Sequence, residues 1–137
     1  RGDTSLRAVI SFYGPHDLLS AVRSRDGVLG EGLEAMIGTH GSEEDITARL
    51  IAASPSSQIV TSMPPYLLIH GTADEQVDYD QSINFMEAME ALGNDIELVT
   101  LPGARHGMGA WTGLEAQYIP QMLDWLARKV RSSDVLD

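Results

Sequence analysis

Two turn segments hold the residue types that proton-transfer chemistry needs. Gly71-Thr72-Ala73-Asp74 sets a carboxylate directly after an apolar run. Pro102-Gly103-Ala104-Arg105-His106-Gly107 sets an imidazole after another, with His106 standing 106 − 74 = 32 residues beyond Asp74. A carboxylate that accepts from one imidazole nitrogen fixes the tautomer, aims the other nitrogen at a nucleophile and stabilises the imidazolium formed when the proton is taken. Glycines beside His106 let the backbone turn sharply and keep the ring accessible. Each segment also has a plainer reading. An Asp after a strand and a glycine commonly bonds its own backbone as a turn former, and a histidine in a glycine-rich loop commonly packs or faces solvent. A third segment, Gly14-Pro15-His16-Asp17, also follows an apolar run. His16 and Asp17 are candidates either for shaping a substrate pocket or for stabilising their own turn. His70 reads as structural and bonded to backbone, and His40 has no assigned role.

The elements that must carry these turns are legible from periodicity. Leu6 to Tyr13 is rich in β-branched and aromatic residues and stops at Gly14-Pro15, which predicts a strand buried largely on both faces. A loop follows. Arg23 to Gly41 contains Gly27, Gly30, Gly32 and Gly38 around a short apolar piece, Leu33 to Ile37, and reads as an irregular or briefly helical excursion. Ser42 caps a helix whose first turn is Glu43, Glu44 and Asp45, with Ile46, Leu50 and Ala53 on its apolar face and Pro55 as its stop. Capping accounts for that acidic cluster better than a metal does, because the three carboxylates fan around one turn instead of converging. Tyr66 to His70 is the clearest strand, entered through Pro64-Pro65 and ended by Gly71.

Asp80 or a near neighbour caps the next helix, which carries Ile83, Phe85, Met86, Met89 and Leu92 and closes at Gly93-Asn94. Ile96 to Leu101 is the third strand. Ile119, Met122, Leu123, Leu126 and Val130 mark one face of a final helix with Arg128, Lys129 and Arg131 at its C-terminal end and Pro120 in its first turn or at a kink. Strands separated by helices predict parallel pairing through crossovers, hence an α/β fold with three parallel strands and flanking helices. In such a sheet ligands bind beyond the carboxyl ends of the strands, which is where all three turn segments fall.

Composition narrows the chemistry. The 137 residues are 43% hydrophobic, enough for one core, and folding would bury roughly two-thirds of the unfolded chain's surface. The absence of cysteine excludes disulfides, thiolate metal sites and a cysteine nucleophile within these residues. With 9 basic against 20 acidic side chains the net charge is −11, a field that repels phosphate backbones and anionic headgroups. Nucleic acid and membrane are therefore not expected as partners. No apolar stretch approaches the ~20 residues needed to span a bilayer. Arg1-Gly2-Asp3 spells an integrin-type tripeptide, a match short enough to recur by chance, and this start has neither a Met nor a signal-type apolar run. Compartment is left open, and no cofactor or metal is called for.

Pro64 to Val77 (Pro-Pro-Tyr-Leu-Leu-Ile-His-Gly-Thr-Ala-Asp-Glu-Gln-Val), followed by Gln81-Ser82, resembles the acid-bearing strand and loop of α/β-hydrolases in their esterase, lipase and prolyl-oligopeptidase-like branch. Pro102 to Gly107 is similar to that branch's histidine loop, Phe12 to Leu18 to the loop after its preceding strand, and Ala53-Ser54-Pro55 to the end of its helical excursion. The order is right and covers nearly the whole chain. Asp78 and Met108 depart from the branch's usual proline and aromatic residue.

The resemblance implies a Ser-His-Asp hydrolase of carboxylic esters, with Asp74 as the triad acid and His106 as the general base. It implies no cofactor and a small-molecule ester as substrate. The family's Gly-x-Ser-x-Gly elbow, with its oxyanion donors, is absent here: Ser11 lies in a strand, Ser42 is a cap, and Ser54 and Ser56 flank a proline. The resemblance therefore makes residues 1–137 a single partial α/β-hydrolase domain, the C-terminal portion, with residues 14–63 as an excursion within it. The piece alone is expected to be inactive, and its first strand to present an edge for self-association or for the missing N-terminal half. A non-catalytic binding or assembly module on the same scaffold is the alternative. A receiver-like or flavodoxin-like domain fits the element order but lacks phosphate or acidic-pocket signals.

Overall fold

The computed structural model describes residues 6–132; the Arg1-Gly2-Asp3 tripeptide lies outside them. Strand β1 (Val9–Phe12) leads to helices α1 (Leu18–Arg23), α2 (Glu31–Ile37) and α3 (Glu43–Ala53) and a short 3-10 turn, Pro55–Gln58. Strand β2 (Tyr66–Gly71), helix α4 (Asp80–Ala91), strand β3 (Ile96–Leu101), a second 3-10 turn at Met108–Trp111 and helix α5 (Glu115–Ser132) complete the order. The three strands form one parallel sheet in the order β1-β2-β3. Tyr66 sits opposite both Val9 and Ile96, so the carboxyl ends of all three strands come level and their following loops share one edge.

Side-chain alternation along β2 divides the core. Leu67 and Ile69 join Val99, Leu101, Trp111, Tyr118 and Trp125 on the α5 face, while Leu68 joins Phe85, Met89 and Ile96 on the α4 face. A separate small cluster, Leu18, Val22, Ile37 and Leu50, holds α1, α2 and α3 together. The Ser42 cap forms as the sequence predicts: its hydroxyl accepts from the Asp45 amide while the Asp45 carboxylate accepts from the Ser42 amide.

Five features differ from the sequence reading. β1 is only half-buried along its length, because it pairs on one side alone. Helix α1 occupies what reads as loop, with Asp17 capping it and Leu18 and Val22 buried one turn apart. In α5 the deeply buried residues are Tyr118 and Trp125, whereas Leu123 is 56% exposed, so the real face is centred about one residue toward the N-terminus of the aliphatic stripe. Pro120 lies inside that helix, beyond its first turn. At the start of α4, Tyr79 occupies the cap position without a side-chain bond, and Asp80 instead sits in the first turn.

Candidate active site

Gly71 ends β2 against the loop that follows β3. A Cβ on Gly71 would lie 2.2 Å from the Ala104 carbonyl oxygen, so only glycine lets the two strand ends approach this closely. The Ala73 amide donates to that same Ala104 oxygen at 3.0 Å, the Thr72 amide to Leu101 at 3.1 Å, and the Gly103 amide to the Thr72 hydroxyl at 2.8 Å. Arg105 and Glu75 pair across the rim, with a closest N···O distance of 2.6 Å, in the open. Trp111 reaches back with its indole N–H to the Arg105 carbonyl at 2.7 Å, which pins the second loop to the α5 side of the core.

These ties bring two remote side chains together. Nδ1 of His106 lies 2.8 Å from Oδ2 of Asp74, whose side chain is fully buried, while the His106 ring remains partly open to solvent. The other carboxylate oxygen accepts the Gln76 and Val77 amides, both at 2.8 Å. The turn-forming role of Asp74 and its histidine contact therefore coexist, one on each oxygen. Burial alone would push this carboxyl up, but the Val77 and Gln76 amides and the His106 imidazole outweigh it, and Asp74 is held below the ordinary carboxylate range. An ionised acceptor at Nδ1 leaves that nitrogen as the N–H and Nε2 as the ring's free base. The ring also rests edge-on to Tyr13, with centroids 4.6 Å apart. Tyr13 has a positive φ of 41°, a strained conformation that a non-glycine residue rarely holds, at the point where β1 turns away.

His106 lines a cavity of about 540 Å³ together with Gln76 and Val77, and its remaining walls come from the excursion: Pro15, Leu18, Val22, Val28, Leu33 and Met36 among them. The lining is mainly hydrocarbon, with Arg25 and Gln76 among its few polar side chains. His16 and Asp17 do not line it. The Gln81 side-chain oxygen accepts both of their amides, at 3.0 and 2.8 Å, and Asp17 caps α1 through the Ser20 amide at 2.9 Å. His16 is buried, stacked on Phe85 at 4.3 Å, with its Nε2 3.4 Å from the Ser11 hydroxyl. Burial and the nearby His70 lower its titration to about 4, so it is neutral at physiological pH. The two residues border a second, smaller cavity with Ser56, Gln81 and Asn84.

Ser54, read as a neighbour of Pro55 at the end of the excursion's helix, is buried and bridges elements: its hydroxyl accepts the Leu18 amide at 2.9 Å and donates to the Leu50 carbonyl at 2.7 Å. Among the described residues there is no cluster of three or more histidine, cysteine or acidic side chains able to hold a metal ion.

With that geometry in hand, the likeness to known proteins is specific. The profile of the prolyl oligopeptidase family matches residues 4–133. The chain belongs to that family. The chain is 29% identical over 131 residues to the esterase LipC of Mycobacterium tuberculosis, covering 92% of this chain and 32% of LipC. It is 30% identical over 105 residues to the esterase LipQ of the same organism, covering 76% of this chain and 24% of LipQ. Among solved structures, a truncated carbohydrate esterase from gut microbiota superposes with a TM-score of 0.73 at 25% identity, over 92% of this chain and 43% of that one. Native esterase 2 of Thermogutta terrifontis superposes with a TM-score of 0.64 at 29% identity, again over 92% and 43%. The fold of this prolyl oligopeptidase family chain is thus that of the α/β-hydrolases, and it spans about a third of LipC's length.

Proposed function

We propose that this chain supplies the acid and the general base of a serine hydrolase acting on carboxylic esters, with the nucleophilic serine on a part of the protein outside these 137 residues. The observation that carries the reading is the 2.8 Å contact between His106 Nδ1 and a buried, ionised Asp74, on a loop pair that also borders an apolar cavity. In the acylation step His106 Nε2 takes the serine proton as the oxygen attacks the ester carbonyl. Asp74 stabilises the imidazolium, and the same proton then passes to the departing alcohol. In deacylation the roles repeat, with water in place of the serine. The hydrocarbon lining suits the apolar part of an ester. The esterase names of LipC, LipQ and esterase 2 support the reaction class.

Two consequences follow for the 137 residues by themselves. Lacking a serine elbow and its oxyanion donors, they should not hydrolyse esters. The half-buried open side of β1, unpaired among the described residues, should recruit either a second copy or the part of the protein that carries the serine. Sedimentation velocity at rising concentration checks the second point: a mass that grows with concentration is expected, and a monomer throughout counts against it. A fluorophosphonate probe on the parent protein tests the reaction itself. Labelling at one serine, abolished by His106→Ala, is expected. No labelling, together with intact short-chain esters, would favour a binding module on the same scaffold.

A further inference from the structure

Asp74 has a second histidine on it. Nε2 of His70 lies 3.3 Å from Oδ2, the same carboxylate oxygen that His106 contacts, and both side chains of this pair are fully buried. His70 occupies the α4-facing side of β2, and the turn through Gly71 folds the chain back so that Asp74, four residues on, comes to rest against it. Its Nε2 also lies 3.0 Å from the Val77 carbonyl, and its Nδ1 lies 2.8 Å from the hydroxyl of Ser82, buried in α4.

Resting on the hydrolase reading above, we propose that His70 is a positioning residue for the Asp74–His106 pair, held in the Nε2–H tautomer by Ser82. The two neighbours of Nε2, a carbonyl and an ionised carboxylate, can only accept, so this nitrogen carries the hydrogen and shares it between them. Nδ1 is then the acceptor, and the Ser82 hydroxyl donates to it. Burial keeps the ring neutral: it lowers the His70 titration despite the opposing pull of Asp74 and the Val77 carbonyl, and His106 adds to the lowering. The remaining groups around the ring are His16, a charge neighbour on the β1 side, and Tyr79, edge-on at 5.6 Å.

With His70 in place, Asp74 has N–H groups beside both oxygens: Gln76 and Val77 bond to one, His106 bonds to the other, and His70 Nε2 stands 3.3 Å from that same oxygen. With three hydrogen bonds and a buried imidazole against Oδ2, the carboxylate resists rotation about its Cβ–Cγ bond, so Oδ2 stays where His106 needs it. The oxygen that faces the general base is therefore fixed by a helix residue, Ser82, acting through an imidazole.

Nitrogen-15 spectra of the histidine rings and carbon-13 titration of the Asp74 carboxyl, both on the 137-residue chain, test this without any catalysis. His70 in the Nε2–H tautomer across neutral pH is expected; the Nδ1–H tautomer, or an imidazolium there, overturns the proposal. In Ser82→Ala, which leaves His70 in place, the ring should populate both tautomers and the proton affinity of Asp74 should rise about two- to fivefold. An unchanged tautomer and an unmoved Asp74 titration in that variant would likewise end it. In the parent enzyme, His70→Gln should lower kcat about tenfold with KM nearly constant, and an unaltered kcat in a folded variant refutes the positioning role. Failure of the phosphonate to label the parent would instead refute the hydrolase reading, and the spectra on the chain would still report on the His70 geometry.

Discussion

The loop pair at the ends of β2 and β3 and the excursion that faces it are built on opposite terms. The loops 71–77 and 102–107 are knitted by backbone bonds, a glycine-only approach and buried polar side chains aimed at one carboxylate. The excursion rests on four buried aliphatic residues, with Val28 and Met36 64% and 60% exposed on the cavity wall. Positioned proton transfer tolerates little displacement, whereas a wall that meets a substrate's hydrocarbon can be adjustable.

The sharpest way to break this contrast is at the proposed acid and base. On the proposed hydrolase reading, His106→Ala in the parent protein should reduce kcat for a short-chain ester by about 10⁶, and Asp74→Asn by about 10⁴, with far smaller changes in KM. Equal and modest losses would mean that the pair does not work as a unit. The next largest effect is structural. Gly71→Ala forces a Cβ into the Ala104 carbonyl and should cost the chain about 3 kcal/mol or more in urea unfolding, because backbone stands on both sides of the clash.

Acid comes next. His16 titrates at about 4 when folded against an ordinary 6.5, so between those values the unfolded chain binds a proton that the folded chain refuses. Above 6.5 this group makes no difference. As pH falls from 6.5 toward 4, stability should drop by up to roughly 3 kcal/mol, with His70 acting in the same direction. Asp74, shifted down, acts lower still: its contribution is present above its ordinary 3.8 and is lost as pH falls further. Urea midpoints at pH 7 and pH 4.5 should therefore differ clearly, and His16→Gln should narrow the gap. A gap of the same size in that variant would assign the acid sensitivity elsewhere. The smallest effect belongs to the excursion. Gly32→Ala, in α2 with nothing within 4 Å of the new Cβ, should stabilise by about 0.5–1 kcal/mol, the opposite sign to the same change at Gly71. Destabilisation there would show the excursion to be more tightly packed than its exposed side chains indicate.

The strands and their order were legible because β2 and β3 are short apolar runs that break where Gly71 and Pro102 say they should, and the Ser42 cap because its partner stands three residues away. Helix α1 has only a short signal, Asp17 as a cap before Leu18 and Val22 at helical spacing, which a loop reading also accommodates. In α5 an aliphatic stripe drew attention away from Tyr118 and Trp125, whose burial depends on where the sheet lies. His16 and Asp17 read equally as pocket or turn residues, and the Gln81 bonds that hold their turn come from 65 and 64 residues away in sequence.

What the sequence alone determined, then, was everything governed by neighbours a few residues apart: periodicity, caps, breakers, and the residue types at the sheet's carboxyl edge. The tertiary structure alone decided which of those residues meet. Hydrogen bonds and steric exclusion act over a few ångströms, and the chain separates the groups concerned by 32 residues in the case of Asp74 and His106. His70 makes the same point at shorter range, since a histidine next to a glycine has no fixed tautomer until folding lays the Ser82 hydroxyl against one nitrogen and two acceptors against the other.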